Sequence, residues 1–297
     1  MQDHDIARIR RFFRAVTTEV GALESSFLGK GRPLGVARVL HAVGHYGGDV
    51  SGLRRELNLD KAILSRILKG LEDEGLLTLA PDPKDARRRV AHLTEAGQTE
   101  WQDYDRLSNA QAETLVSRSK AQEALLNAMD LIASTFAKDR VELVQCDPRD
   151  AAAVWCLGQY YAELERRFER GFDVNLSRDP EASDMIHPKG AFFVAMSDGQ
   201  ALGCVRLKGW GVGQAEIKRL WVSEAARGLG LATRLMERCD VAARDLGIKV
   251  LRLDTNSALP EAARLYEKLG WVEIERFNDD PYPDLFFEKR IENEQKS

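Results

Sequence analysis

The stretch AEIKRLWVSEAARGLGLATRLMERC, residues 215–239, constrains the fold of this 297-residue chain more than any other. Its first eight residues, AEIKRLWV, alternate apolar and polar positions as a strand does. Leu231, Leu235, Cys239, Ala242 and Leu246 then recur at helical spacing. Between the two patterns lies ARGLGLAT, residues 226–233, with two glycines two apart behind an arginine. The segment therefore reads as a strand that turns through glycine into a helix. A helix N-terminus exposes unpaired backbone N–H groups and the positive end of the helix dipole. Glycine lets that backbone approach an anion, and a diphosphate is the natural guest. The spacing does not fit GxGxxG, so a dinucleotide fingerprint is not the reading.

What surrounds the turn has the same mixed character. Residues 191–196, AFFVAM, and 201–208, ALGCVRLK, flank Asp198-Gly199, the strongest short hairpin signal, because both turn residues must accept positive φ. Val141–Val144 is a short apolar run, after which Asp147 can cap a helix with Pro148 at its first position. VLRLDTN (250–256) reads as a strand and LPEAARLYEKLGWVEI (259–274) as a helix running into another strand. The first half differs. Residues 3–28 carry Ile6, Ile9, Phe13, Val16, Val20, Leu23 and Phe27 at helical spacing, residues 34–46 form a second helix candidate, and residues 95–137 hold two more. The change of rhythm near residue 140 predicts two domains, 1–140 and 141–297, closely tethered because no long Gly/Ser linker intervenes.

Within the first half, residues 49–97 are the most specific. Asp49 is a predicted N-cap, Asn58 makes a turn, and Asp60 caps a second helix with Leu59 and Leu64 as its hydrophobic staple. Ile63, Leu64, Ile67, Leu68 and Leu71 form the predicted buried stripe of that helix. Lys61, Ser65 and Lys69 recur on the other face with Arg66 beside them, and a helix of this size fits a major groove. Gly75 stops it. The strands LLTLA and VAHLT then flank a tip carrying Lys84, Arg87, Arg88 and Arg89, suited to phosphates and an adjacent minor groove. Each feature alone is an ordinary amphipathic helix or a solvated turn; it is their order and spacing that is specific.

LSRILKGLEDEGLL followed by DPKDARRRVAHLTEAG resembles the MarR family of winged helix–turn–helix regulators, over roughly residues 1–137. The resemblance implies a mainly-α domain that dimerises through its terminal helices and binds a palindromic operator in double-stranded DNA. Two recognition helices would then lie about one DNA turn apart. It places Ser65, Arg66 and Lys69 towards the groove and Arg87 and Arg89 on the wing, with Lys61 and Arg88 in the same basic surface and Asp82 and Asp85 as braces.

The second half, in the order AEIKRLWV, RGLGLA, LRLDTN, A-x-x-LYEKLGW, resembles the GNAT family of acetyl-CoA-dependent N-acetyltransferases over about residues 141–290. That family's Q/R-x-x-G-x-G/A signature falls on Arg227, Gly230 and Ala232. The resemblance implies an α/β fold with a mixed sheet in which strands 217–222 and 249–254 splay apart. The pantetheine arm of acetyl-CoA would bond to backbone at Leu220, Trp221 and Val222. The diphosphate would sit on the turn of Arg227, Gly228, Leu229, Gly230, Leu231, Ala232 and Thr233. Asn256 would touch the cofactor or a water. Tyr266 occupies the family position of the general acid, the alternative being a ring packed on the sheet. Glu216 could serve as general base, the alternative being a solvated edge carboxylate. Tyr160, Phe168, Phe172, Asn278 and Tyr282 lie in segments expected to border the acceptor, where aromatic spacing is also that of a core.

Composition bounds the rest. With 44% apolar and 30% charged residues each half can bury a core, and no run approaches a membrane span. The N-terminal MQDHDIARIRRFFRAV lacks an uninterrupted apolar region, so no secretory signal is expected. Cys146, Cys156, Cys204 and Cys239 show no CxxC spacing, which fits a reducing cytoplasm and argues against a zinc ribbon. His41 and His45 are four apart without an evident Glu or Cys partner and read as packing residues, so no metal is expected. Residues 1–140 hold 21 basic and 20 acidic side chains and the rest 22 and 27, so DNA binding would depend on where charges lie. The expectation is a regulator joined to an acetyltransferase of a small amine or amino acid. The sequence leaves open a non-catalytic acetyl-CoA sensor and a protein lysine acetyltransferase.

Overall fold

The computed structural model describes residues 2–83, 85, 87–168, 171–173 and 182–291. The chain divides into two compact units, Met1–Gln122 and Glu123–Ser297.

The first unit runs α1 (Asp3–Glu19), α2 (Leu34–Tyr46), α3 (Val50–Glu56), α4 (Lys61–Asp73), β1 (Leu77–Pro81), β2 (Arg89–Leu93) and α5 (Glu95–Ser117). α1 is shorter than the spacing predicts, because Gly21 takes φ +61° and the chain turns there. Asp49 caps α3 through the Ser51 and Gly52 amides, and Asp60 caps α4 through Ala62 N–H at 2.7 Å. Asn58, at φ +49°, makes the turn between them. α4 buries Leu64, Leu68 and Leu71 against Leu40, Leu53 and Leu77, but Ile63 is exposed, one position too far round the helix. β1 and β2 form an antiparallel hairpin from Leu77↔Leu93 to Pro81↔Arg89.

The second unit runs α6 (Gln122–Ala137), β3 (Glu142–Cys146), α7 (Ala151–Arg167), β4 (Ala191–Ser197), β5 (Gln200–Gly209), β6 (Gln214–Val222), α8 (Leu231–Asp245), β7 (Val250–Thr255), α9 (Pro260–Lys268), β8 (Val272–Glu273) and β9 (Leu285–Arg290). α7 starts later than expected: Asp150, not Asp147, is its N-cap residue, while Asp147 holds the Arg149 amide at 2.9 Å. Asp198 and Gly199, both at positive φ, close the β4–β5 hairpin. Among the described residues seven strands form one mixed sheet in the order β3-β4-β5-β6-β7-β9-β8, in which only β6 and β7 are parallel. α8 packs on one face with Ala215, Ile217, Val222 and Leu235. Ala153 and Cys156 of α7 pack on the other with Phe192, Val194, Cys204 and Trp221.

Two irregularities shape the centre of this sheet. The β6–β7 pairing runs only from Gln214↔Val250 to Ile217↔Leu253, and the strands then part. On the other edge of β6, Cys204 opposes Trp221 while Arg206 opposes Lys218, so β6 carries one extra residue there. The bulge holds Arg219 at φ +59°, which a side chain with a Cβ adopts at a cost of about 1–2 kcal/mol. A bulge bends its strand, and here the bend coincides with the loss of pairing to β7.

Candidate functional site

The site of the second unit is built on the parted strands. Ser223 N–H donates to the Leu202 carbonyl at 2.9 Å. Hydrogen-bonded and open pairs alternate along an antiparallel ladder, so Gly203–Val222 is an open pair and Val222 turns its N–H away from β5, towards the gap. The turn after β6 follows. Gly228 and Gly230 take φ +77° and +80°, and Gly230 is the N-cap residue of α8 with no side-chain cap. The first N–H groups of α8, at Leu231, Ala232 and Thr233, are therefore left for a ligand. A Cβ at Gly228 or Gly230 would meet nothing within 4 Å, so conformation, not crowding, selects glycine here.

A groove of about 410 Å³ runs along these groups, walled by Leu220, Trp221, Val222, Arg227, Gly228, Gly230, Leu231, Ala232 and Thr233, with Glu163 of α7 and Glu261 of α9 across from them. Of the cofactor-site residues named from sequence, the groove lacks only Leu229, Asn256 and Tyr266 from its wall. Arg227 is tied down: its Nε donates to the Val222 carbonyl at 3.1 Å and its Nη2 to Glu163. Glu163 also accepts Trp221 Nε1 at 3.0 Å. Sequence reasoning missed Glu163, which sits in a helix where its charge looks like one of many.

The groove shares Tyr160, Leu164, Leu220, Leu259 and Ala262 with a smaller cavity of about 80 Å³ in the strand gap. Tyr266 and Asn256 line this second space. The Tyr266 ring packs 5.7 Å from Phe287 and 6.2 Å from Trp271, the residue is 6% exposed, and its hydroxyl makes no hydrogen bond among the described residues. Burial pushes that phenol well above its ordinary pKa, so it stays protonated at neutral pH. Asn256 Nδ2 donates to the Tyr282 carbonyl at 2.6 Å, which fixes the loop that follows. Tyr160, Phe168, Phe172 and Tyr282 line the same cavity, with the Phe172 and Tyr282 rings 4.7 Å apart. Asn278 does not line it; its Nδ2 holds Asp254 Oδ2 at 2.7 Å.

Glu216 does not reach the wall either. It stands behind Lys218, whose Nζ lies 3.1 Å from Glu216, 2.8 Å from Asp254 and 4.0 Å from Asp280. Lys218, Asp254 and Asp280 do line the cavity. Burial raises the Glu216 carboxyl above its ordinary value despite the lysine beside it. Lys218 is raised too, because its two nearest carboxylates outweigh a desolvation that alone would lower it. The signal for this cluster was present in sequence: Glu216 and Lys218 share one face of a strand at i, i+2, and Asp254 lies at the end of the neighbouring strand.

In the first unit, Lys61, Ser65, Arg66 and Lys69 are all exposed on α4. Arg87, nearly fully exposed, folds back on Asp85 at 3.1 Å, and Arg89 Nη2 donates to the Leu79 carbonyl at 3.2 Å. Arg88 is different: its guanidinium bonds to Asp49 at 2.6 Å, tying the wing to the cap of α3. Asp82 N–H donates to the Arg88 carbonyl, closing the hairpin. Lys84 lies outside the described residues. His41 and His45 stack at 5.7 Å on α2. No helix among the described residues is long and apolar enough to cross a membrane.

Comparison with known proteins accords with both units. Residues 157–271 match the model of the acetyltransferase (GNAT) family and residues 30–88 that of the MarR family. The chain is 35% identical over 102 residues to an uncharacterised N-acetyltransferase of Schizosaccharomyces pombe, covering 34% of this chain and 63% of that relative, just under two thirds of its length. It is 31% identical over 139 residues to an IAA acetyltransferase of Azospirillum brasilense, covering 45% of this chain and 89% of that relative. A crystal structure of a GNAT-family acetyltransferase from Staphylococcus aureus aligns with 51% of this chain and 99% of its own at 15% identity and a TM-score of 0.45.

Proposed function

The chain belongs to the GNAT acetyltransferase family and carries a MarR-family domain ahead of its acetyltransferase domain, and from that premise we propose that it couples DNA binding to acetyl-CoA-dependent N-acetylation of a small amine or amino acid. The observation that carries the catalytic half is a pair of adjoining spaces with five wall residues in common: a groove along the uncapped start of α8 and the strand-gap cavity at Tyr266. The residues fit acetyl-CoA. The amides of Leu231, Ala232 and Thr233 suit a diphosphate, and the Val222 N–H suits the thioester oxygen.

The chemistry asks little of the protein. The acceptor ammonium gives its proton to the carboxylate cluster, by way of Asp254 or Asp280 at the cavity wall to Glu216 behind Lys218, whose basicity burial raises. The free amine forms a C–N bond to the thioester carbonyl. The oxyanion rests on the Val222 N–H, and the C–S bond breaks as the leaving thiolate takes the Tyr266 proton. The attacking nitrogen gives its second proton to the resulting phenolate, so the amide is neutral and Tyr266 is again protonated.

The regulatory half is assigned to residues 1–140 and the enzyme to 141–297. Ser65, Arg66 and Lys69 would enter the major groove and Arg87 and Arg89 would serve the wing. Ile9, Phe13 and Val16 line one face of α1 and are exposed in the single chain, which supports a homodimer on a palindromic operator. Release of coenzyme A thiol from acetyl-CoA, measured across amino acids, polyamines, aromatic amines and a lysine-bearing protein, tests the reading. Turnover with a small acceptor is expected. Acetyl-CoA binding without turnover on any acceptor would make this half a sensor.

A further inference from the structure

The bulge in β6 has a chemical result. Ordinary alternation sends successive strand residues to opposite faces. Here Lys218 and Arg219 both line the strand-gap cavity. Arg219 is 7% exposed, and its guanidinium lies 5.5 Å over the Tyr160 ring and 5.1 Å over the Tyr161 ring. Facing the same space are Asp254 and Asp280, which share Lys218 as their nearest cation. Tyr266, 6% exposed and with a hydroxyl that bonds to nothing among the described residues, opens on it as well. Half-exposed Phe168, Phe172 and Tyr282 form an apolar rim. The cavity thus offers a guanidinium, a carboxylate pair and aromatic rings, around a phenol set for proton transfer.

Resting on the acetyltransferase reading, we propose that the acceptor is an apolar α-amino acid, its carboxylate held by Arg219, its ammonium by Asp254 and Asp280, and its side chain by the aromatic rim. Arginine offers five N–H donors in a planar fork that matches a carboxylate, and lysine does not. A cavity of about 80 Å³ suits the ammonium, Cα and carboxylate, while the side chain passes to the rim. Lys218 already stands among three carboxylates, and its single ammonium does not offer the planar fork of Arg219. A site built for a buried carboxylate rejects an analogue lacking it far more strongly than an apolar pocket rejects a change of shape.

The test compares L-leucine and L-phenylalanine with isopentylamine and phenethylamine as acceptors for the full-length protein, by coenzyme A release, in wild type and in Arg219→Lys. In wild type the amino acids should exceed the matching amines by about 100-fold or more in kcat/KM. Arg219→Lys should lower the amino acids at least about tenfold more than the matching amines, a selective pattern that general loss of structure does not give. Amines accepted as well as amino acids would overturn the assignment. Should no acceptor release coenzyme A, the acetyltransferase reading fails, and calorimetry with N-acetyl-L-phenylalanine decides the site by itself. Binding by wild type that weakens at least tenfold in Arg219→Lys upholds the carboxylate site, and absent or unchanged binding refutes it.

Discussion

The guanidinium of Arg227 reaches back to the carbonyl oxygen of Val222, with Nε 3.1 Å away, so the first residue of the glycine turn is fastened to the last residue of β6. The turn is therefore held against the strand end before any diphosphate arrives. Arg227→Ala should raise the acetyl-CoA dissociation constant about tenfold, through loss of the fastening and of one positive charge beside the turn. Calorimetric titration of acetyl-CoA at two salt concentrations checks it, and unchanged affinity at both would remove Arg227 from the cofactor site.

Gly230→Ala separates conformation from space. No atom lies within 4 Å of the position a Cβ would take, yet φ is +80°. The expected cost is about 1 kcal/mol of stability, with weaker acetyl-CoA binding as the α8 N-terminus shifts. Chemical denaturation combined with the same titration measures both.

Tyr266→Phe removes a hydroxyl that has no partner among the described residues, so the fold should hardly register the change. The rate should: kcat is expected to fall by about 100-fold with little change in the KM for acetyl-CoA. A kcat within twofold of wild type would leave the tyrosine only its packing role.

The pH profile follows from the buried cluster. Glu216 must be ionised to accept a proton, and burial raises its pKa above 4.5, so kcat/KM should rise with pH along a limb displaced above the ordinary glutamate range. Because the Tyr266 phenol is also raised, no falling limb from its ionisation is expected near pH 10. Glu216→Gln should abolish the rising limb, and a limb that survives it would reassign the base to a carboxylate such as Asp254.

Lys218→Met leaves three carboxylates facing one another without their shared cation, and a loss of about 3 kcal/mol is expected from the unfolding midpoint. The folded-state pKa of Lys218 is raised above 10.5, so its contribution is fully present below that pH and is lost as pH climbs through the raised value. The destabilisation should therefore shrink in strongly alkaline buffer.

On the DNA side, Lys69→Ala should weaken binding to all sequences and reduce the salt slope by about one, while Arg66→Ala should weaken binding and relax sequence preference. Arg88→Ala should act through the wing, since its guanidinium is committed to Asp49. Asp49→Ala should reproduce the Arg88 effect and add the loss of the α3 cap.

Local chemistry was legible in the sequence: the glycine turn, the Asp198-Gly199 hairpin, the caps at Asp49 and Asp60, the strands and the helix faces all depend on residues near one another in the chain. What could not be read depends on pairing between distant segments. The extra residue at Arg219 exists only relative to β5, so nothing in the sequence singles Arg219 out. Glu216 looked like a cleft carboxylate because its strand shows that Lys218 shares its face, but not that Lys218, drawn to Asp254 and Asp280 of distant segments, takes the place at the cavity wall. Ile63 was placed inside because helix spacing alone gives the stripe a width but not its edge.

The bulge at Arg219 acts as a frameshift in space. Before it, the odd-numbered Ala215 and Ile217 pack with the α8 layer; after it, the even-numbered Leu220 and Val222 do, and Trp221 faces α7. The parity of the strand is inverted by one residue. Removing that residue would restore the original parity and turn Leu220, Trp221 and Val222 inside out together, so at this position a deletion is a larger lesion than any substitution.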